Sequence, residues 1–285
     1  MKKNNITFQS CEANYNESQV VIFSAPLDCT TSFRPGTRFA GNAIRVDSAG
    51  VEWYSCYQDK SLKDYKTCDL GEIYLPVGDA IKSLDLIYKT VKTILNDNKF
   101  PIMIGGEHLA SYGSIKAVYE KYPLLRVIHF DAHTDLREKF LGMKFSHATF
   151  LRHVHNDFLG DDKIFSFGIR SGDKEEFEWA KTHIFMNKFN LDHLDEVIEK
   201  VKDYPVYVTI DLDVLDPSIF PGTGTPEAGG ITFKEFLDGI LKFVSLNNIV
   251  GFDMMELSPS YDPSGVSTAV ACKTLRELIL IAHNK

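Results

Sequence analysis

Residues 125–135 read Leu125-Arg126-Val127-Ile128-His129-Phe130-Asp131-Ala132-His133-Thr134-Asp135. An apolar, β-branched run of strand length stops at an aspartate. The chain then sets an acid, an imidazole and an acid at a spacing of two. In an extended chain alternate side chains share a face, so Asp131, His133 and Asp135 point the same way. The carboxyl end of a strand is where open α/β sheets place their ligand crevices. The same pattern recurs twice. Val206-Tyr207-Val208-Thr209-Ile210 runs into Asp211, with Asp213 two residues on. Pro101-Ile102-Met103-Ile104-Gly105-Gly106 leads to His108, and the paired glycines permit a sharp turn before it.

Outward from these segments, short apolar runs recur at 20–24, 68–74, 101–104, 125–131, 163–168, 184–186, 205–211 and 249–255. Amphipathic stretches lie between several of them, at 79–96, 109–121, 174–182, 191–202, 233–246 and 267–282. In the first of these, Ile81, Leu84, Ile87, Tyr88, Val91, Ile94 and Leu95 share one helical stripe. Strand–helix alternation predicts an α/β fold with a mainly parallel sheet covered by helices on both faces. Residues 27–45 and 214–230 are rich in Gly, Pro, Ser and Thr and read as loops. Loops whose ends are fixed by a scaffold often build sites. With no repeat, low-complexity tract or long Gly/Ser linker, residues 1–285 are expected to form a single domain.

The 285 residues are 44% hydrophobic and 25% charged, which excludes disorder, collagen-like repeats and coiled coil. Lys plus Arg is 31 and Asp plus Glu is 39, for a formal charge of −8. That balance disfavours nucleic-acid and membrane-surface binding, which need a basic face, and suits a cationic ligand or a bound metal. The opening residues MKKNNITFQS lack the apolar run of a signal peptide. No stretch approaches the ~18 apolar residues of a membrane helix. Cys11, Cys29, Cys56, Cys68 and Cys272 are odd in number, scattered and without a CxxC pair. They read as reduced thiols of a cytoplasmic protein.

The three strand-end segments offer four aspartates and two histidines. Clustered without counter-charge, each carboxylate pair at ~4 Å would cost roughly 4 kcal/mol at an effective dielectric of ~20. Two divalent cations balance four carboxylates. An oxygen-rich set with imidazole and no thiolate favours a hard or borderline ion such as manganese. Two such ions ~3.5–4 Å apart serve metal-assisted hydrolysis. Each part has a plainer reading: aspartates after strands make turns and helix caps, and a histidine after Gly-Gly packs into a loop. It is the three together that argue for metal. His129, inside its strand, reads as a core histidine. His153, His155, His183, His193 and His283 read as surface or helix-end residues.

Gly105-Gly106-Glu107-His108, Asp131-Ala132-His133-Thr134-Asp135 and Asp211-Leu212-Asp213-Val214-Leu215-Asp216-Pro217 resemble the three metal motifs of the ureohydrolases, the arginase and agmatinase superfamily. The resemblance runs from about residue 18 to 282. It takes in Arg34-Pro35-Gly36-Thr37-Arg38, Pro221-Gly222-Thr223-Gly224-Thr225-Pro226 and Glu256-Leu257-Ser258-Pro259-Ser260-Tyr261-Asp262. It implies a three-layer α/β/α domain with an eight-stranded, mainly parallel sheet and a pair of Mn2+ ions. One manganese would take His108, Asp131, Asp135 and Asp211; the other would take His133, Asp131, Asp211 and Asp213. Asp131 and Asp211 would bridge. The implied chemistry is attack of a metal-bridging hydroxide on a guanidinium carbon, releasing urea and an amine. Asp135 would move a proton to the leaving amine. His147, in Phe145-Ser146-His147-Ala148-Thr149, resembles the proton-shuttling histidine, a role that suits a near-neutral pKa. Glu256 resembles the glutamate that pairs with the guanidinium. For His147 the plainer reading is a residue at a helix start after Ser146, and for Glu256 an exposed loop acid.

Within that superfamily the chain looks most like the bacterial agmatinases, through Asp135-Leu136-Arg137, Tyr207-Val208-Thr209-Ile210-Asp211 and Phe165-Ser166-Phe167-Gly168-Ile169-Arg170-Ser171-Gly172. Arginases carry an Asn and a Ser/Thr-rich stretch after the second motif. Here that stretch is Leu136-Arg137-Glu138-Lys139-Phe140-Leu141-Gly142-Met143-Lys144, so recognition of arginine is not implied. The expected substrate is a small cationic guanidine, agmatine first, with putrescine as product. Arg137, Lys139 and Lys144 cut the other way: they would repel a distal ammonium or receive the carboxylate of 4-guanidinobutyrate, unless they point to solvent or pair with Glu138 and neighbouring subunits, the commoner fate of such charges. Glu227 is a candidate partner for a distal amine. A homo-oligomer, trimer or hexamer, is the superfamily expectation. Two other classes compete. A binuclear phosphoesterase would carry a Gly-Asn-His-Glu/Asp segment, and the chain has none. A non-catalytic ureohydrolase-like binding protein would have lost ligands, and all six positions are present.

Overall fold

The computed structural model describes residues 6–285, so the first half of the opening segment read for a signal peptide lies outside the described residues. In chain order the strands are β1 (Val20–Ala25), β2 (Tyr54–Ser55), β3 (Lys60–Ser61), β4 (Thr67–Glu72), β5 (Phe100–Gly105), β6 (Arg126–Phe130), β7 (Ile164–Ile169), β8 (Phe185–Lys188), β9 (Val206–Asp211) and β10 (Ile249–Met255). The helices are α1 (Ala40–Asp47), α2 (Ala80–Asn96), α3 (Ala110–Lys121), α4 (Phe150–Val154), α5 (Lys174–His183), α6 (Leu194–Val201), α7 (Phe233–Leu241) and α8 (Val266–Ala282).

Eight strands make one sheet in the order β4-β1-β5-β10-β9-β6-β7-β8. Every pairing in it is parallel. Strands β2 and β3 form a separate antiparallel hairpin. The predicted runs become strands because both faces of a parallel sheet are buried. In β1, Val20 and Ile22 enter one hydrophobic core while Val21, Phe23 and Ala25 enter the other. Helices α1, α6, α7 and α8 pack on the first core, α2, α3, α4 and α5 on the second, giving three layers, α/β/α. Helix α2 starts at Asp79, whose Oδ1 accepts the Lys82 N–H at 2.9 Å. Of its expected stripe, Leu84, Ile87, Val91, Ile94 and Leu95 are buried, but Ile81 is exposed.

Three expectations needed correction. The last part of the 27–45 loop is helical: α1 begins at Ala40, and its inner face brings Ala40 and Ile44 to the core. Its anchor is a buried ion pair, Arg45 Nη2 to Asp69 Oδ1 at 2.8 Å, reinforced by Arg45 Nε to Asp69 Oδ2 and Nη1 to Ser24 Oγ, both 2.8 Å. The helix expected over 233–246 ends at Leu241 and continues as a 3₁₀ turn. His153 and His155, expected at the surface or at helix ends, lie at the end of α4 but are buried; His155 packs edge-on to Trp179 at 4.7 Å with its Nε2 on Asp161 at 2.8 Å. Among the described residues, no helix is long and apolar enough to cross a membrane.

The strand order decides where the chemistry sits. β5, β10, β9 and β6 are consecutive neighbours at the middle of the sheet. Just past their carboxyl ends lie His108, Glu256, Asp213 and Asp131 respectively, with Asp211 closing β9.

Candidate metal centre

All six expected ligands meet at this edge. His108 Nδ1 lies 3.0 Å from Asp131 Oδ2, 3.3 Å from Asp211 Oδ2 and 3.6 Å from Asp135 Oδ2. His133 Nδ1 lies 2.9 Å from Asp213 Oδ2 and 3.6 Å from Asp131 Oδ1. The six thus form two groups joined at Asp131, which turns one carboxylate oxygen to each. Backbone amides hold the spare oxygens: Asp213 N–H donates to Asp211 Oδ1 at 2.8 Å, and Ala132 N–H to Asp213 Oδ1 at 3.0 Å. His108 Nε2 is 2.8 Å from the Thr209 hydroxyl, which leaves Nδ1 to face the carboxylates.

The electrostatics of the cluster suit cations. Burial pushes the Asp135 carboxyl well above its ordinary range, and the Asp131 charge adds to the rise. Burial does the same to Asp211, helped by Asp213. For Asp131, burial acts upward, but the close approach of the His108, His129 and His133 rings outweighs it and holds the carboxyl well below its usual value. Two histidines do not offset four buried aspartates. His108 Nδ1 and Asp213 Oδ2 are buried and make no hydrogen bond, in spite of their near neighbours. Nitrogen and carboxylate lone pairs that converge on shared points, oxygen-rich and free of thiolate, fit a pair of divalent ions.

His129 is fully buried, as expected of a core residue, but it also touches the cluster. Its Nε2 lies 2.9 Å from Asp131 Oδ2 and its Nδ1 3.1 Å from Ser166 Oγ. The alternation of His129 with Asp131 was the available signal for that contact.

Two candidate catalytic residues occupy unusual backbone. Asp135 has φ 51° and Glu256 φ 65°, the left-handed region that non-glycine residues enter uncommonly and that is enriched at functional sites. Glu256 is buried rather than an exposed loop acid, and its Oε1 accepts the His108 N–H at 2.8 Å. Burial, then the neighbouring Glu107 charge, pushes Glu256 up to about 8.

A cavity of ≈ 260 Å³ opens over the cluster, with His133, Asp135, Asp211, Glu256 and His147 in its wall. His147 opens a 3₁₀ turn capped by Ser146. Its Nε2 lies 3.4 Å from Ser32 Oγ, and its ring meets Phe140 edge-on at 5.6 Å. Burial lowers His147 to about 4, so its imidazole is neutral at pH 7.

The outer wall includes Arg137, Phe140, Asp173 and Glu176. Arg137 Nη1 pairs with Asp173 Oδ2 at 2.8 Å and its Nε lies 3.5 Å from Glu176 Oε2. Asp173 and Glu176 were not anticipated as site residues. They form the capping box of α5, legible as a helix start but not as a pocket wall. Lys139 and Lys144 are exposed and Glu227 is half-buried; among the described residues, the cavity wall includes none of the three. Glu227 contributes a backbone carbonyl that accepts from Arg170 Nη2 at 2.8 Å.

Residues 18–281 match the arginase family model. The agmatinase of Bacillus anthracis is 50% identical over 277 residues, covering 96% of this chain and 95% of that protein. The crystal structure of agmatine ureohydrolase of Thermoplasma volcanium superposes with a TM-score of 0.90 at 31% identity, covering 99% of this chain and 95% of that one. Proclavaminate amidino hydrolase from Streptomyces clavuligerus is nearly as close in shape, with a TM-score of 0.89 at 32% identity, covering 99% and 98%.

Proposed function

The chain belongs to the arginase family, and from that premise we propose that it hydrolyses agmatine to putrescine and urea with two manganese ions. The observation that carries this reading is the meeting of six ligating side chains in two groups that share Asp131. His108, Asp131, Asp135 and Asp211 would hold one ion, and His133, Asp131, Asp211 and Asp213 the other. When bound, the ions supply a water of lowered pKa as the nucleophile.

The chain's own groups do the rest. Glu256 pairs with the guanidinium; a cation beside it offsets the cost of its burial, which otherwise holds a proton on it to about pH 8. Asp135 belongs both to the ligand cluster and to the cavity wall, and is assigned the proton transfer to the leaving amine. His147, on the cavity wall beside Ser32, is assigned the exchange of protons between cavity and solvent; the lowering of its imidazole by burial runs against the near-neutral value expected for that role.

The outer wall supports a cationic tail over an acidic one. Arg137 is already engaged by Asp173 and Glu176, and the three together carry one net negative charge. A guanidino acid such as 4-guanidinobutyrate is the second reading, favoured by Arg137 lying in the wall at all. Manganese-loaded protein given agmatine, arginine, 4-guanidinobutyrate and formiminoglutamate, with urea or formamide measured, decides between them. Agmatine is expected to turn over best, and a guanidino acid in first place would overturn the assignment. Asp131→Asn is expected to abolish manganese binding and urea release together, because it removes the carboxylate common to both groups. The same reading places the protein in the cytoplasm, with five free thiols, as a homo-oligomer; light scattering tests trimer against hexamer.

A further inference from the structure

Glu107 stands between Gly106 and His108 and, beyond its charge acting on Glu256, has no part in the scheme above. Its carboxylate is wholly buried and faces hydrogen-bond donors from one loop. Oε1 accepts the Cys29 and Thr30 N–H groups, both at 3.1 Å. Oε2 accepts the Thr30 N–H at 3.0 Å and the Thr30 hydroxyl at 2.7 Å. The Thr31 hydroxyl lies 3.3 Å from Oε2 and 2.9 Å from Asp28 Oδ1. The backbone closes the same junction, with Glu107 N–H on the Leu27 carbonyl at 2.7 Å.

The buried Thr30 hydroxyl has a second partner, the backbone N–H of His147 at 3.1 Å. A hydroxyl has one proton and two lone pairs. Here the proton goes to Glu107 and a lone pair receives His147. Two residues further along the loop, Ser32 Oγ approaches the His147 ring. The loop, the end of β5 and the turn that carries His147 are therefore joined through one carboxylate and one hydroxyl.

We propose that Glu107 and Thr30 are positioning residues for His147, setting where its imidazole stands on the cavity wall. The proposal rests on the proton-exchange role given to His147 above. Neither Glu107 nor the Thr30 hydroxyl is one of the six ligating groups, so the link acts on proton movement and not on metal binding.

Thr30→Val keeps the side-chain shape and deletes the hydroxyl, while Thr30→Ser keeps the hydroxyl. In the manganese-loaded full chain, Thr30→Val is expected to lower kcat on agmatine about 10- to 100-fold. KM and manganese content should stay within about twofold, and Thr30→Ser should restore most of kcat. Amide exchange at His147 is expected to quicken at least about tenfold in Thr30→Val and not in Thr30→Ser. A Thr30→Val protein with the parent's kcat overturns the proposal, as does one that loses manganese, or a Thr30→Ser protein that falls equally far. If Thr30→Val does not fold, Thr30→Ala, which deletes the hydroxyl and adds no bulk, is held to the same expectations. Should the parent release urea from no guanidine, the functional reading fails. The His147 amide then still reports whether the link exists.

Discussion

Asp135 and Glu256 both sit at φ values that glycine tolerates best, yet both carry carboxylates into the cavity. Their neighbours hold them there: Glu256 N–H donates to the Gly106 carbonyl at 3.1 Å, and Glu256 Oε1 takes the His108 amide. Gly106 itself allows a close backbone approach, since a Cβ there would lie 1.8 Å from the Leu27 carbonyl oxygen. Gly106→Ala is expected to cost about 1–3 kcal/mol in urea denaturation, by forcing the 27–36 loop off its junction. Gly50→Ala, where a Cβ meets nothing within 4 Å, should be close to neutral. At this scale the sequence pointed to the six side chains that cluster and to little of what holds them. Asp131, His133 and Asp135 announce themselves by their spacing after a strand. Glu107 and Asp173 do not, because each depends on a partner that is distant in sequence.

The elements were legible in proportion to their burial pattern. All eight strands of the main sheet were expected, because runs such as Val206-Tyr207-Val208-Thr209-Ile210 are buried on both faces. Helix α1 was not, because an eight-residue helix with two core contacts is made by its surroundings, here the Arg45–Asp69 pair. Helix α5 does two things at its first turn: the Asp173 carboxylate belongs to its capping box and also restrains Arg137. Asp173→Ala is expected to raise the ratio of 4-guanidinobutyrate to agmatine turnover about tenfold, and to cost about 1 kcal/mol of stability through the lost cap. An unchanged ratio would show that Arg137 does not reach the substrate tail.

Helix α8 ends at His283, which stacks on Tyr65 at 4.6 Å and bonds Thr67 Oγ1 through Nε2 at 2.8 Å. Burial lowers this imidazole to about 4, below its unfolded value of ~6.5. The unfolded chain therefore binds the extra proton first. The contribution of His283 is whole above pH ~6.5 and drains away as pH falls toward 4. Chemical denaturation across pH 4–7 should show a shallower acid limb in His283→Gln than in the parent.

For the molecule as a whole, the metal centre and the fold share their energetics. Four aspartates gathered at the carboxyl ends of β6 and β9 repel one another, so ions that bind them only in the folded chain would raise its stability. Manganese at about 100 times its Kd is expected to stabilise the protein by about 2.7 kcal/mol per independent site, and chelation to lower Tm correspondingly. Calorimetry with and without chelator checks this, and equal melting curves would argue against ions at the cluster. The architecture followed from periodicity, because strand–helix alternation leaves few arrangements. The outer wall did not, because it is assembled from a helix start, a loop and a turn whose mutual packing leaves no local signature.

The strand order also sets a schedule for making the protein. β10, the last of these eight strands in chain order, lies between β5 and β9, near the centre of the finished sheet. Without residues 249–255, no strand joins β4-β1-β5 to β9-β6-β7-β8, and β5 and β9 would each offer a bare hydrogen-bonding edge. A chain that stops short of residue 256 lacks both the strand that joins the two halves of the sheet and the carboxylate of Glu256, so folding quality and chemical competence wait on adjoining residues.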